Sequence, residues 1–228
     1  MKVISFVATK SSGKSTSIHV LAERLLSEGV NVHIIDCDPQ ADQLEFVHVA
    51  SKYYENLTFT PWSELKNQNH IPTTVFDIVD DLAGKDGVLI IDVQGSDNDL
   101  LSLGAIVSDL VLVPMMDGNL EHKSTNQTLT RLAFLERTRK QRLPIRTFWA
   151  KAPVGINLSN AATGIQKGAE EAGYQWLGSN LLQRKEFKNL VLTGKILQED
   201  AKPSEQQRQK RSEEIADHWK SKIVEMFA

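Results

Sequence analysis

The sequence has a single cysteine among its 228 residues, Cys37. An internal disulfide and a self-contained CxxC metal or cluster site are therefore both excluded, and we expect Cys37 to be a small buried apolar residue. Long apolar runs are also absent. The longest ones, such as VLII from Val88 and LVLVP from Leu110, are far shorter than the roughly 20 residues of a membrane span. The chain starts with a strand pattern and not with a signal peptide, so these absences predict a cytoplasmic protein.

The sequence also lacks a strong net charge. Its formal charge is −3 at pH 7, which by itself argues against obligatory binding to nucleic acid. The charge is unevenly spread, however. Segment 122–151 has one acid, Glu136, and eight basic residues: Lys123, Arg131, Arg137, Arg139, Lys140, Arg142, Arg146 and Lys151. A phosphate backbone is attracted to the nearest face of a protein, so this local excess matters more than the total.

Apolar patterning predicts an α/β fold with a mostly parallel, twisted sheet flanked by helices on both faces. Segment 110–114 is apolar throughout, as is typical of a central strand buried on both faces. We interpret 1–228 as one domain. The predicted strands are KVISFVA, NVHIIDC, GVLIID, 110–114 and 145–150, with a weaker one near YQWLG. The predicted helices are 15–28, a stretch that ends near 83, 123–141 and a C-terminal helix at about 204–227, which follows a loop at 198–203.

The segment ATKSSGKS, residues 8–15, fits the P-loop pattern of a small residue, four variable ones and Gly-Lys-Ser. In such a loop the backbone N–H groups and the following helix N-terminus hold phosphate oxygens, Lys14 reaches the outer phosphates and Ser15 offers its hydroxyl to magnesium. Its position between a strand and an amphipathic helix is the context that the motif requires. The alternative is a serine-rich turn before a capped helix. The candidate nucleotide-binding residues are Lys10, Ser11, Ser12, Gly13, Lys14, Ser15 and Thr16.

Three aspartates follow predicted strands. Asp36 and Asp38 end the segment HIIDCD, and Asp92 ends VLIID. Open parallel sheets bind ligands at the carboxyl ends of their strands, and an aspartate there beside a P-loop holds magnesium directly or through water, while another orients the attacking water. One such aspartate alone is more often a turn former or helix cap. All three beside a P-loop predict a magnesium-nucleotide site.

These motifs carry a resemblance. The opening MKVISFVATK, IIDCDPQAD, LIIDVQGSD and SDLVLVP resemble the ParA/MinD family of deviant-Walker ATPases, especially the short plasmid-partition members without an N-terminal DNA-binding domain. The resemblance continues through GSNLLQRKEFKNLVLTGKIL to the terminal helix and so covers nearly the whole chain. The order and spacing of the motifs make it specific.

The resemblance implies ATP held between two subunits, a homodimer that forms on ATP binding, nonspecific binding of double-stranded DNA, and hydrolysis stimulated by a centromere-binding or adaptor partner protein. It also implies roles for single residues. Lys14 and Ser15 serve phosphate and magnesium, Asp36 and Asp92 hold the water shell of the metal, Asp38 positions the hydrolytic water, and Arg184 contacts the nucleotide.

The opening stretch departs from the family pattern. Similar proteins read Lys-Gly-Gly-x-Gly-Lys-Thr, with a signature lysine five positions before the Walker lysine, whereas Lys10 precedes Lys14 by four. One possibility is that the loop is one residue shorter than in the family. The other is that the loop keeps its length and the first strand is shifted by one residue along the sequence, which puts Thr9 in the signature position. We favour the second because a loop of fixed geometry tolerates deletion poorly. The second possibility puts Lys10 where a glycine is expected, and in either case two glycines are lost. Ser11 and Ser12 bear side chains, at a strain of about 1–3 kcal/mol each where positive φ is needed, which predicts weak affinity or slow turnover.

Two basic segments are candidates for binding DNA. The leading one is RTRKQRLPIR, with Arg137, Arg139, Lys140, Arg142 and Arg146. The second has Arg208, Lys210 and Arg211, followed by Lys220 and Lys222, but acids dilute it. Phosphate contacts would give sequence-independent, strongly salt-dependent affinity. The alternative for the leading segment is a solvated helix end whose cations interact favourably with the helix dipole. The resemblance instead favours the use of both segments by a dimer.

The terminal helix carries Ile215, Trp219, Ile223 and Met226 at helical spacing. This stripe is compatible with docking on the body, pairing with another subunit or lying on a membrane. We expect docking. Acids along the helix argue against membrane attachment, because anionic lipid would repel them: Glu213, Glu214, Asp217 and Glu225.

We therefore expect a magnesium-dependent ATPase that binds DNA, associates with the nucleoid and segregates a plasmid or chromosome. The alternative is a degenerate relative with weak or no ATP turnover that acts as a DNA-binding or conjugation accessory factor. The serine-rich loop favours the alternative, and the retention of Lys14, Ser15 and the three aspartates favours the ATPase. A membrane-positioning ATPase is disfavoured by the acidic terminal helix, and a cluster carrier by the lone Cys37.

Overall fold

The computed structural model describes residues 1–8, 12–65, 70–94, 98–117, 119–152 and 160–227. Within these ranges strands alternate with helices along the chain. The strands are β1 (Lys2–Ala8), β2 (Val32–Asp36), β3 (Leu57–Thr60), β4 (Val88–Gln94), β5 (Leu110–Met115), β6 (Ile145–Ala152), β7 (Gln175–Trp176) and β8 (Leu181–Leu182). The helices are α1 (Lys14–Ser27), α2 (Asp42–Ala50), α3 (Trp62–Leu65), α4 (Ile71–Leu82), α5 (Asn98–Val107), α6 (Asn119–Arg139), α7 (Asn160–Glu171), α8 (Lys185–Thr193) and α9 (Pro203–Val224), which a 3-10 turn (Glu225–Phe227) continues.

The strands form one sheet in the order β3-β2-β4-β1-β5-β6-β7, and β8 pairs with β6. The recorded pairings are all parallel. Every residue of β5 is buried, as predicted for a central strand covered on both faces. The predicted fold class, a mostly parallel sheet flanked by helices, is confirmed.

Alternate residues of β1 point into different helix layers, as the two-residue period of a strand requires. Ile4 and Phe6 belong to a core shared with α1, α2, α8 and α9. Val3 and Val7 belong to a core shared with α4, α5, α6 and α7. The sheet therefore lies between two helix layers, and residues on α6 and α9 lie on opposite faces of it.

The terminal helix α9 docks on the body of the protein. Trp219 and Ile223 are fully buried in the α1 layer, and the Trp219 ring lies 5.1 Å from that of Phe148. Arg24 of α1 also donates to the carboxylate of Glu213 at 2.8 Å. The expected docking is confirmed for these residues. No helix among the described residues combines the length and apolar character needed to cross a membrane.

Cys37 is buried, as expected, directly after β2. Its backbone N–H donates to the carbonyl of Asp92 at 2.9 Å, which extends the pairing of β2 with β4. The carboxyl ends of β1, β2 and β4 are thus adjacent in the sheet, and the first turn of α1 begins beside them. The fold brings the P-loop segment and the strand-end aspartates to one edge.

Candidate functional site

Asp36 and Asp92 face each other across the pairing of β2 with β4, where their Cα atoms are register partners. Both side chains are fully buried. A buried carboxylate is costly unless it is hydrogen-bonded or paired with a cation. Each of these two aspartates has such partners.

Lys14, the first residue of α1, provides the cation. Its ammonium donates a hydrogen bond to the Asp92 carboxylate, and its side chain is only 10% exposed. Burial lowers the pKa of Lys14, while the carboxylates of Asp38 and Asp36 oppose this shift. The structure therefore places the predicted phosphate-binding lysine against one predicted magnesium-binding aspartate, Asp92, and near the other, Asp36.

The turn after β2 is organised by Asp36. Its carboxylate accepts hydrogen bonds from the backbone N–H groups of Asp38 at 2.9 Å and Gln43 at 3.2 Å. Burial raises the pKa of Asp36, and these two hydrogen bonds oppose the rise. Asp38 in turn accepts the backbone N–H of Gln40 at 3.0 Å. These local bonds fix the predicted water-orienting aspartate, Asp38, near the predicted metal-binding one.

Gln43 belongs to this site although the sequence analysis did not select it. Its side chain is fully buried, and its amide Nε2 donates to the Asp92 carboxylate at 2.6 Å. A signal was present in the sequence: Gln43, Phe46 and Ala50 share the buried face of α2 at helical spacing. A lone polar residue on an apolar helix face needs a buried partner, and here the partner is Asp92.

The loop before α1 is described from Ser12 onward, and the predicted residues Lys10 and Ser11 lie outside the described residues. Ser12 is 5% exposed, and its Oγ has no hydrogen-bond partner in the described part of the chain. Gly13 has φ 84°, and a Cβ there would lie 2.9 Å from the Cβ of Ala150. Only glycine fits this position, because both the backbone angle and the close approach exclude a side chain.

Ser15 and Thr16 follow on the first turn of α1. The Ser15 hydroxyl donates to the Asp42 carboxylate at 3.2 Å. Thr16 lines a cleft together with Gly13, Lys151 and Arg184. Arg184 immediately precedes α8, and its Nε is buried without a hydrogen-bond partner among the described residues. The structure thus brings Arg184, predicted to contact the nucleotide, to the P-loop.

The residues at this edge fit a magnesium-nucleotide complex better than a metal held by protein alone. Among the described residues, no group of three or more acids, histidines or cysteines is arranged to hold a metal ion. Magnesium is usually bound through one or two protein oxygens together with waters and substrate phosphates. Ser15, Asp36 and Asp92 are the residues here that would supply such oxygens, and Gly13, Lys14 and Ser12 lie where phosphates would bind at a helix N-terminus.

The leading basic segment lies at the end of α6. Arg137, Arg139 and Lys140 are exposed, and within the described chain none of them is in an ion pair. Arg142 differs, because it donates to the Glu136 carboxylate at 3.0 Å and to the carbonyl of Ala172 at 3.2 Å. Arg146 is half-buried on β6 and donates to the carbonyl of Ile145. Only part of the predicted set is therefore free to meet a phosphate backbone.

The second basic segment lies on the other face of the sheet, near the start of α9. Arg208 donates to the Glu186 carboxylate at 2.7 Å, whereas Lys210 and Arg211 are exposed. Because α6 and α9 cover opposite faces, one subunit does not join the two segments into a single surface.

Known proteins that resemble this chain are consistent with a nucleotide site at this edge of the sheet. No family model matches the chain. Protein ParA from Rhizobium radiobacter is 27% identical over 195 residues, which cover 85% of this chain and 84% of that protein. The fold is shared with an aspartate-to-alanine variant of McdA from Cyanothece in complex with ATP, at a TM-score of 0.72, 17% identity and coverage of 98% of this chain and 96% of that one.

Two further solved structures share the fold. A plasmid partition protein from Borrelia burgdorferi bound to AMPPNP has a TM-score of 0.66 and 18% identity, with coverage of 99% of this chain and 98% of that one. The septum site-determining protein MinD from Pyrococcus horikoshii with Mg-ADP has a TM-score of 0.65 and 15% identity, with coverage of 98% and 95%. The resemblance expected from the motifs is confirmed.

Proposed function

We propose that this chain, a ParA/MinD-type P-loop ATPase by its fold and its sequence resemblance, hydrolyses ATP with magnesium to partition DNA. The observation that carries the proposal is the junction of Lys14 with Asp92, next to Asp36 and Asp38, at the start of α1. Buried charges reduce stability unless they are fully compensated, and a scaffold alone does not need them at one sheet edge. Their clustering beside a P-loop is typical of a catalytic site.

Each residue has a role in this proposal. The backbone N–H groups at the start of α1 bind phosphate oxygens, and Lys14 exchanges Asp92 for the outer phosphates. Ser15, Asp36 and Asp92 would hold the magnesium that accompanies the nucleotide, Ser15 through its hydroxyl and the two aspartates through water. Magnesium supplies positive charge that offsets the charge developing on the phosphates. Asp38 accepts a hydrogen bond from the attacking water and orients it in line with the phosphate to be transferred.

The proposal includes a homodimer that forms on ATP binding and binds duplex DNA without sequence preference. Its support is the exposed group Arg137, Arg139 and Lys140 at the end of α6, because exposed cations are attracted to a phosphate backbone. A dimer doubles the number of these cations. Association with the nucleoid follows from such binding, and a centromere-binding or adaptor protein would stimulate hydrolysis.

The same relatives leave a second use of the site open. One is a septum site-determining protein and another is McdA. The docked, acidic α9 disfavours membrane attachment for this chain, because Trp219 and Ile223 of its apolar stripe are already buried, although Met226 is exposed. DNA partition is therefore favoured over membrane positioning.

The experiment measures molecular mass in solution, and duplex DNA binding over a salt series, with magnesium and ATP, a non-hydrolysable ATP analogue or ADP. We expect a dimer with ATP or the analogue and a monomer with ADP. DNA affinity should belong to the dimer and fall steeply with salt. Equal masses in all three states would contradict the gated dimer, and DNA affinity independent of nucleotide and salt would contradict the DNA-binding role.

A further inference from the structure

Lys151 has an unusual backbone conformation at the end of β6. Its φ is 55°, in the left-handed region that residues other than glycine rarely adopt. The pairing of β6 with β8 shifts at this residue, because Ala150 pairs with Leu181 and Ala152 with Leu182. Lys151 is thus the extra residue of a β-bulge. Bulges redirect a side chain and are frequent beside active sites.

The bulge brings the Lys151 side chain alongside the P-loop. Its Cε lies 3.7 Å from the position that a Cβ would take on Gly13. The side chain is half-buried, and no carboxylate among the described residues forms an ion pair with it. Its methylene stem therefore packs on the loop while its ammonium remains available to a ligand.

Two other polar groups of the same region have no partner within the described ranges. The Oγ of Ser12 is buried in the loop, and the Nε of Arg184 is buried beside the cleft that Lys151 lines. Buried polar atoms normally have hydrogen-bond partners. Ser12 directly precedes Gly13, and Arg184 lines the same cleft as Gly13 and Lys151. Acceptor oxygens of an anionic ligand at the start of α1 would satisfy both donors.

The charge balance of the site points the same way. Carboxylates dominate the described edge, with Asp36, Asp38 and Asp42 near the Asp92–Lys14 pair. Lys14 is already compensated by Asp92. A nucleotide adds several negative charges to this edge. Cations besides magnesium and Lys14 are therefore needed close to the phosphates to compensate those charges. Among the residues that line the cleft, Lys151 lies directly against Gly13.

We propose that Lys151 is a second phosphate-binding cation of this site, whose ammonium contacts the phosphate chain of a bound nucleoside di- or triphosphate. This role rests on the function proposed above. Lys151 would supplement Lys14 beside a loop in which the lysine expected from the family pattern is displaced by one residue. The left-handed backbone is kept because it directs the ammonium toward the loop.

The test compares equilibrium binding of ATP and ADP, with magnesium, to the full chain and its variants. Lys151→Asn removes the charge, and asparagine tolerates the left-handed backbone. Lys151→Met keeps the stem and removes the charge, so it replaces the asparagine variant should that one fail to fold. Lys151→Arg keeps the charge. Lys85→Asn is the matched control, because Lys85 is an exposed cation shortly before β4, at the edge of the sheet opposite the P-loop.

We expect Lys151→Asn and Lys151→Met to lose at least about tenfold in affinity for both nucleotides, as for the loss of a charge-assisted hydrogen bond. Lys151→Arg and Lys85→Asn should stay within about threefold of the wild type. Wild-type affinity in the asparagine or methionine variant overturns the role of Lys151 alone. A wild type that binds no ATP overturns the proposed function, and the role of Lys151 with it.

Discussion

The ammonium of Lys14 is hydrogen-bonded to the carboxylate of Asp92 in the interior of the protein, between α1 and β4. Gln43 donates to the other oxygen of the same carboxylate at 2.6 Å. The charges of the predicted phosphate-binding and magnesium-binding residues therefore compensate each other within the chain. Under the proposed function, a nucleotide replaces Asp92 as the partner of Lys14 when the lysine binds the outer phosphates.

This pairing makes Lys14→Ala destabilising as well as inactivating. Removing the lysine leaves the buried Asp92 charge without its cation, which costs about 3–5 kcal/mol in comparable cases. We expect the double variant Lys14→Ala/Asp92→Asn to recover most of this loss, because a neutral amide replaces the charge, and still to bind no ATP. Urea unfolding and nucleotide titration measure the two effects. A Lys14→Ala variant as stable as the wild type would contradict the buried pair.

Asp38→Ala separates binding from hydrolysis. The described contact of the Asp38 carboxylate is with the nearby N–H of Gln40, so its loss should lower stability by only about 1 kcal/mol. ATP affinity should remain, whereas turnover should fall by roughly 10²–10⁴, the usual contribution of a proton-accepting group. Single-turnover hydrolysis and equilibrium binding are the measurements. Equal losses in both would place Asp38 outside the water-orienting role.

Replacing Arg137, Arg139 and Lys140 by alanine should weaken DNA binding and leave ATP binding unchanged. These cations are exposed at the end of α6, whereas Arg142 is left in place because it holds the buried Glu136. Each lost phosphate contact makes the fall of log affinity with log salt less steep by about 0.9. The variant Lys210→Ala/Arg211→Ala, on the opposite face, should change this steepness less per charge removed. An unchanged slope in the triple variant would remove α6 from the DNA interface.

His19 should make the protein less stable in acid. Burial lowers the pKa of His19 from 6.5 to about 3, and its ring stacks on Phe46. Between these pH values the unfolded chain binds a proton that the folded chain does not, so stability decreases as pH falls through this window. The loss is at most about 1.4 kcal/mol per pH unit.

The variant His19→Leu isolates this effect, because the raised pKa values of Asp36 and Glu23 act in the opposite direction and are common to both proteins. We expect the free energy of unfolding of the variant to fall less between pH 6.5 and pH 4.5 than that of the wild type. The same change at the exposed His48 should keep the wild-type dependence. A pH dependence in His19→Leu identical to that of the wild type would refute the assignment.

Most of the strands and the start of α1 were predictable because their signals are local, whereas β3 lies in a stretch expected to be helix-bearing and β8 was not expected. Apolar runs and strand-end aspartates fix which segments pair, and the Gly-Lys-Ser motif fixes the start of α1. The ends of helices were less exact, since α6 begins at Asn119 and not near 123, and α9 begins at Pro203 and not at 204. Proline favours the first helical position, which explains why the expected loop ends one residue earlier.

The partners of the site were not predictable from local signals. Lys151 acquires its position from a bulge that depends on the pairing of β6 with β8, and nothing in the segment IRTFWAKA marks it. The engagement of Arg142 by Glu136 likewise requires the turn after α6. The separation of the basic segments on opposite faces follows from the layer order. Each of these is a tertiary relationship, whereas the sequence pattern reports periodicity and spacing.

The most direct test of the account is magnesium-dependent ATP turnover by the purified wild type, with and without nonspecific duplex DNA. Lys14→Ala serves as the blank, and Lys10→Ala is measured alongside to learn whether the displaced lysine contributes. We expect turnover above the blank that requires magnesium and rises with DNA. Wild-type turnover indistinguishable from the blank, with DNA present, would contradict the ATPase and favour the accessory DNA-binding factor.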